Sequence, residues 1–186
     1  MHTPHHYSRR SFLATCAAAG CVAVTAPGCA GSSATDHKLV FASLADALRQ
    51  LDATTNATPL NPAATWTWSK TLLHCAQSIE YSLSGYPQSR SALFQHTAGS
   101  IAFSYFKSRG RMSHDLLEAI PGAASLDANA AGAVAVAALR KAIDTFEKHT
   151  GPLHPHFAYG TLSKAEYEQA HAMHIANHMS AFDLKA

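Results

Sequence analysis

Apolar residues recur every three or four positions along most of this chain, a spacing that predicts helices. Leu39 to Leu51 carries Leu44, Leu48 and Leu51 at that interval and predicts a short first helix. Asp52 to Asn61 is a loop by composition, and Pro62 suits the first turn of the next helix. Thr65 to Ser84 sets Leu72, Cys75 and Ala76, Ile79 and Leu83 on one stripe, and Gly85-Tyr86-Pro87 closes it. Ser89 to Ser108 is a third helical stretch with Leu93, Ile101, Phe103 and Phe106, weak in its middle at Thr97 to Ser100. Gly110 to Ala124 reads as a connection with a short turn of helix around Leu116 and Leu117.

Asp127 to His149 is the longest predicted helix, Ala-rich and then striped by Leu139, Ile143 and Phe146, and Gly151-Pro152 stops it. After the loop Leu153 to Leu162, Ser163 caps a last helix that runs to Phe182, with Glu166 at the capping-box position. Alternating β-branched runs and hairpin turns are nearly absent. The pattern therefore predicts an all-α fold of four or five helices. Its economical form is a four-helix bundle with an additional short helix and long connections.

The last helix carries the chemistry. His171, His174 and His178 are three and four residues apart, so they lie along one side, and Tyr167 and Phe182 mark that side as inward. Imidazoles on an inward face are costly unless each nitrogen finds a partner. The i, i+4 pair His174 and His178 can present two ring nitrogens to one metal ion. A third ligand must come from elsewhere, and the candidates are His74, His96, His114, His149, His154 and His156. His74 sits inside a well-defined helix, a rigid place from which to hold an ion. On the wheel, however, it lies opposite the Leu72, Ile79 and Leu83 stripe, beside Lys70, Gln77 and Tyr81. It either lines a polar cavity or faces water.

Composition adds an address and removes some functions. Ser8-Arg9-Arg10-Ser11-Phe12-Leu13 followed by the Ala-rich run Ala14 to Ala26 has the charged, apolar and small-residue regions of an export signal. The paired arginines before Phe-Leu resemble the twin-arginine signal, although Ala14 stands where that pattern often has Lys. Ala26-Pro27-Gly28-Cys29 looks like a lipoprotein junction with Cys29 acylated, and cleavage without lipid near Ala30 or Ala34 is the other outcome. The expected organisation is an export leader over 1–34 and a helical domain over 35–186, in the periplasm or cell envelope.

Lys and Arg number 14 against 12 acidic residues, and without Arg9 and Arg10 the domain is neutral, which argues against a nucleic-acid partner. Of 13 histidines, ten lie beyond the leader. Of four cysteines only Cys75 does, which excludes a disulfide framework within the domain.

Several of these residues together resemble a family. Trp66-x-Trp68 ahead of His74, His154-Pro155 with Tyr159-Gly160-x-Leu162-Ser163, and His171-x-x-His174-x-x-Asn177-His178 before Phe182 are similar to the DinB-like (YfiT-like) superfamily, in an uncharacterised, domain-of-unknown-function branch. The resemblance covers roughly Leu39 to Leu184. It implies a DinB-type four-helix bundle whose divalent metal (zinc, nickel or iron) is held by His74, His174 and His178. Asn177 stands where many relatives carry another His, and Ala181 replaces a common Gln. Three imidazoles leave positions for water and substrate, as in a catalytic site. His171 is then a candidate outer hydrogen-bonding partner for a ligand, or a packed ring.

For an enzyme, the resemblance implies thiol-group transfer or metal-assisted hydrolysis on a small molecule. The rival expectations are a non-enzymatic envelope metal binder and a plain structural bundle. A homodimer is a further expected partner, and the membrane is expected only through a lipid on Cys29. Trp66 and Trp68 are expected in core or helix-entry packing rather than as a substrate platform, Tyr81 and Tyr159 in packing or donation to a substrate oxygen, and Cys75 as a small buried residue. His154-Pro155-His156 is expected to shape the site mouth.

Overall fold

The apolar stripes close on one another as four helical rods and one short helix in the computed structural model, which describes residues 36–184. The export leader, the twin arginines and Cys29 lie outside those residues. Among them the all-α bundle with an additional short helix and long connections is the observed architecture.

The short helix α1 (Leu44–Ala53) begins later than its pattern suggests. The Asp46 carboxylate accepts from the backbone N–H groups of Ala42 and Ser43 at 2.7 and 3.0 Å, which fixes the start there. Residues 37–39 are instead tied to the far end of the chain. His37 N–H donates to the Ser180 carbonyl at 3.1 Å, and Leu39 N–H donates to the Ser180 hydroxyl at 2.9 Å.

α2 (Trp68–Ser84) is capped by Thr67, whose hydroxyl accepts from Lys70 N–H. It ends at Gly85, whose φ of 98° a side chain would disfavour. α3 (Ala92–Phe94), a π-helical turn (Gln95–Gly99) and α4 (Ser100–Arg109) succeed one another without a break. The π turn falls on the stretch whose helical pattern is weak.

The segment 111–131 holds no helix. Where a helical turn was expected at Leu116 and Leu117 there is a simple turn, and the segment is pinned by long-range bonds instead. Gln77 donates to the Ala124 carbonyl at 3.2 Å and Thr67 to the Ala128 carbonyl at 3.0 Å. α5 is correspondingly shorter than expected, Gly132–Lys148. α6 (Lys164–Met179) starts with the predicted capping box: Ser163 Oγ accepts from Glu166 N–H, and the Glu166 carboxylate accepts from Ser163 N–H.

Phe182 lies beyond α6, in a two-residue strand. This β2 (Phe182–Asp183) pairs antiparallel with β1 (Thr58–Pro59). No strand was expected here, because two ladder positions are too few to leave an alternating pattern. Among the described residues no helix is long and apolar enough to cross a membrane.

The position of α2 decides what the site can be. It packs along α5 on one side and against α6 on another. Leu72, Cys75 and Ile79 are fully buried among Leu139, Ile143 and Phe146 of α5 and Ile175 and Met179 of α6. The opposite face is buried as well, through Thr71, His74, Ser78 and Ser82. Lys70, Leu73, Gln77 and Glu80 form the side of α2 left partly or fully exposed, so the stripe that carries His74 is turned inward and not to water.

The π turn holds the loop before α6 in place. Gln95 donates its amide to the carbonyls of His156 and Phe157 at 3.3 and 3.1 Å. The Gly99 backbone lies so close to that loop that an added Cβ would come within 2.0 Å of the Ala158 carbonyl oxygen. Gly99→Ala is accordingly expected to lower stability by about 1–3 kcal/mol, the usual cost of overpacking against immovable backbone. A shift in denaturant midpoint reads it, and an unchanged midpoint would show that the loop gives way freely.

Candidate metal centre

His74 projects from the middle of α2 and is 2 % exposed, so of the two readings left open by its place on the wheel the cavity is the correct one. His174 and His178 project from successive turns of α6 toward it, His178 buried and His174 half-buried. The ring centres of His74 and His174 are 5.1 Å apart, those of His74 and His178 4.9 Å, and those of His174 and His178 4.7 Å. One nitrogen from each lies within 4.8 Å of the other two. Imidazoles bound to one tetrahedral ion at about 2.1 Å set their ring centres about 5 Å apart, so these spacings fit a shared ion.

The nitrogens also lack other uses. His74 Nδ1 and both nitrogens of His178 are buried with no hydrogen-bond partner, the condition that buried polar atoms normally avoid.

A fourth imidazole stands beside them. His114, from the irregular segment, has its ring centre 5.2 Å from that of His174 and 5.0 Å from that of His178. Its Nδ1 is 2.9 Å from the Asp115 carbonyl, an acceptor only, so Nδ1 carries the proton and Nε2 keeps its lone pair. His114 was only one of several candidates in the sequence, and a histidine in a loop between helices carries no periodicity that would single it out.

Trp66, at the entry to α2, packs against this cluster. It is half-buried, meets the His74 ring edge-on at 5.1 Å and stacks on His178 at 6.4 Å, with the Lys70 ammonium 4.3 Å from its own centre. Trp68 does pack in the core, against Phe182 at 5.1 Å.

Two of the three histidines, His74 and His174, border a cavity of about 210 Å³. His74 and His174 form one end of its lining, joined by His114, His156, Tyr159 and His171, and Phe94, Met112, Ile120 and Phe157 supply apolar walls. His171 is buried between Tyr167 and Phe146, each ring centre 5.3 Å away, and its Nε2 has no partner. His156, in contrast, is satisfied. Its Nδ1 accepts from Ala158 and Tyr159 N–H at 3.1 and 3.2 Å, and its ring stacks on Tyr159 at 4.2 Å.

Of the remaining candidates, His96 and His154 are exposed and His149 turns to the Pro152 carbonyl. Tyr81 packs on Tyr86. Asn177 has a buried amide nitrogen without a partner.

Burial keeps the rings uncharged. His74 is pushed down to about 4 by desolvation, with the neighbouring His114 and Lys70 adding to it. His156 and His171 are held near 3 by desolvation. His114, His174 and His178 are also lowered, first by burial. The same burial pushes the Tyr159 hydroxyl up to about 12 and raises the Cys75 thiol, so neither is a ready nucleophile at neutral pH.

A family model described as "Protein of unknown function (DUF1569)" matches residues 33–185, and the chain belongs to that family. This agrees with the uncharacterised branch that the residue pattern resembles. No curated protein and no solved structure matches the chain.

These lowered values carry a sign. Below the ordinary histidine value of 6.5 the unfolded chain binds protons that the folded chain refuses. Stability is therefore complete above that pH and falls as pH drops toward the lowered folded values. Each such ring contributes a loss of about 1.4 kcal/mol per pH unit. The melting temperature of the metal-free protein is expected to drop steeply between about pH 7 and about pH 5, and His171→Phe to shallow that drop. A flat profile over this range would contradict the burial of neutral imidazoles.

Proposed function

We propose that this protein is an exported metal-binding helical bundle with an open three-histidine site, and that it acts on a small molecule as a metal-dependent hydrolase or transferase. The observation that carries the reading is the convergence of His74, His174 and His178 beside a cavity, with His74 Nδ1 and both nitrogens of His178 buried and without a protein partner. The donor set fits a divalent ion: imidazole suits zinc, nickel and iron alike. A bound ion would lower the pKa of a coordinated water or thiol, or polarise a carbonyl.

The chain's own residues supply the rest. His74 and His178 are held by packed helices and present their rings without rearrangement. His171, one turn before His174, is the candidate outer hydrogen-bonding partner. The apolar walls limit water, and Tyr159 keeps its proton and can donate it to a substrate oxygen. The size of the cavity suits a small molecule rather than a polymer.

Export by the twin-arginine route, with or without a lipid on Cys29, completes the proposal and rests on the leader sequence. That route carries folded proteins, which suits one that acquires its ion before crossing. Export also favours hydrolysis over thiol transfer, because low-molecular-weight thiols are scarce outside the cytosol.

Elemental analysis of protein purified without a histidine tag tests the site. About one ion per chain is expected. His174→Ala is expected to lose it while retaining helical circular dichroism, with affinity at least tenfold lower. A wild-type protein without an ion under metal-replete expression would sink the reading. Turnover of esters, amides and thiol acceptors that depends on the ion then separates an enzyme from a metal binder.

A further inference from the structure

We infer that the cavity takes a small organic anion, an apolar body bearing one carboxylate, and that Arg90 holds the carboxylate. This rests on the metal reading of the same site and names its substrate class.

Charge balance comes first. Metal-ligating imidazoles are neutral, so a divalent ion held by His74, His174 and His178 brings two uncompensated positive charges to the end of an apolar cavity. A thiolate or carboxylate ligand would offset part of that charge, and the group of close ligands here contains neither. Among the residues lining the cavity the only carboxylate is Glu118 and the only permanent cation is Arg90. The ion's field draws an anion into the cavity, where Arg90 engages its carboxylate, whereas it repels a cation inside low-dielectric walls.

The second observation is the state of Arg90 itself. Its backbone N–H donates to the Phe157 carbonyl at 2.8 Å, which fixes it to the loop that walls the cavity. Its guanidinium lies 5.9 Å from the centre of the Phe94 ring and 3.5 Å from the Glu118 carboxylate. Both members of that pair are about half exposed, at 51 % and 54 %. An ion pair at that distance and exposure is weak and exchangeable. A guanidinium prefers a carboxylate it can engage with two parallel N–H groups, so a ligand carboxylate can displace Glu118. The walls of Phe94, Met112, Ile120 and Phe157 then cover the apolar body.

The experiment is calorimetric titration of the metal-loaded protein with phenylacetate, phenylacetamide and phenethylamine. These have similar bodies with negative, neutral and positive heads. The acid is expected to bind at least tenfold tighter than the amide, and the amine not at all. Arg90→Gln is expected to weaken the acid about tenfold and leave the amide unchanged. Glu118→Gln, which frees Arg90 from its competitor, is expected to tighten the acid severalfold.

Opposite effects from the two halves of one ion pair distinguish ligand recognition from a damaged cavity, which would weaken all binding in both variants. Equal binding of acid and amide, a preference for the amine, or an acid affinity unmoved by Arg90→Gln overturns the inference. Elemental analysis of each sample reports separately on the metal, so absence of the ion sinks the metal reading while the contrast between variants still judges the anion.

Discussion

The structure turns on keeping several imidazoles out of water and uncharged in the space between α2 and α6. Helix carbonyls and amides in the middle of an α-helix are consumed by their own ladder, so they cannot serve as partners for rings that project between two such helices. His156 shows the alternative. It sits in a loop, where free N–H groups of Ala158 and Tyr159 turn toward its Nδ1. His74 and His178 project from mid-helix positions instead, and His74 Nδ1 and both nitrogens of His178 are buried without a protein partner. A fold carries that penalty when something else claims the lone pairs.

Everything around the cluster serves to hold it in one geometry. Thr67 fixes the start of α2, and Ser163 with Glu166 fixes the start of α6, so the two helices present their histidines in a defined register. The short β1–β2 pair and the bonds from His37 and Leu39 to Ser180 tie down the end of the chain just after His178. The π turn anchors the loop that carries His156 and Tyr159. The segment 111–131 is irregular yet contributes Met112, His114 and Ile120 to the cavity, which makes it a functional wall rather than a spacer.

The site is therefore rigid on its helical side and built from loops on the other. Side chains presented by packed helices suit a fixed constellation, and loop-borne walls suit contact with a guest. Membership of a family described only by its unknown function adds no chemistry to this division. The chemistry comes from the donor set and from the charges that face it.

Periodicity was enough to establish the helical class, the capping of α6, the weak centre of the third rod, and the meeting of His174 with His178. All of these depend on residues within one or two turns of each other, where backbone geometry leaves little freedom. The orientation of His74 was of another kind. A wheel places a residue opposite an apolar stripe but does not reveal whether that opposite face is covered, and α2 proved to be covered on both. The arrival of His114 and the turn of Trp66 toward the rings depend on contacts between segments distant in sequence, and nothing local encodes them. The chain by itself determined which helices could carry ligands. Only the packing of α2 against α5 and α6 decided that the three histidines would meet in a buried place, because burial belongs to the neighbours of a helix and not to its own sequence.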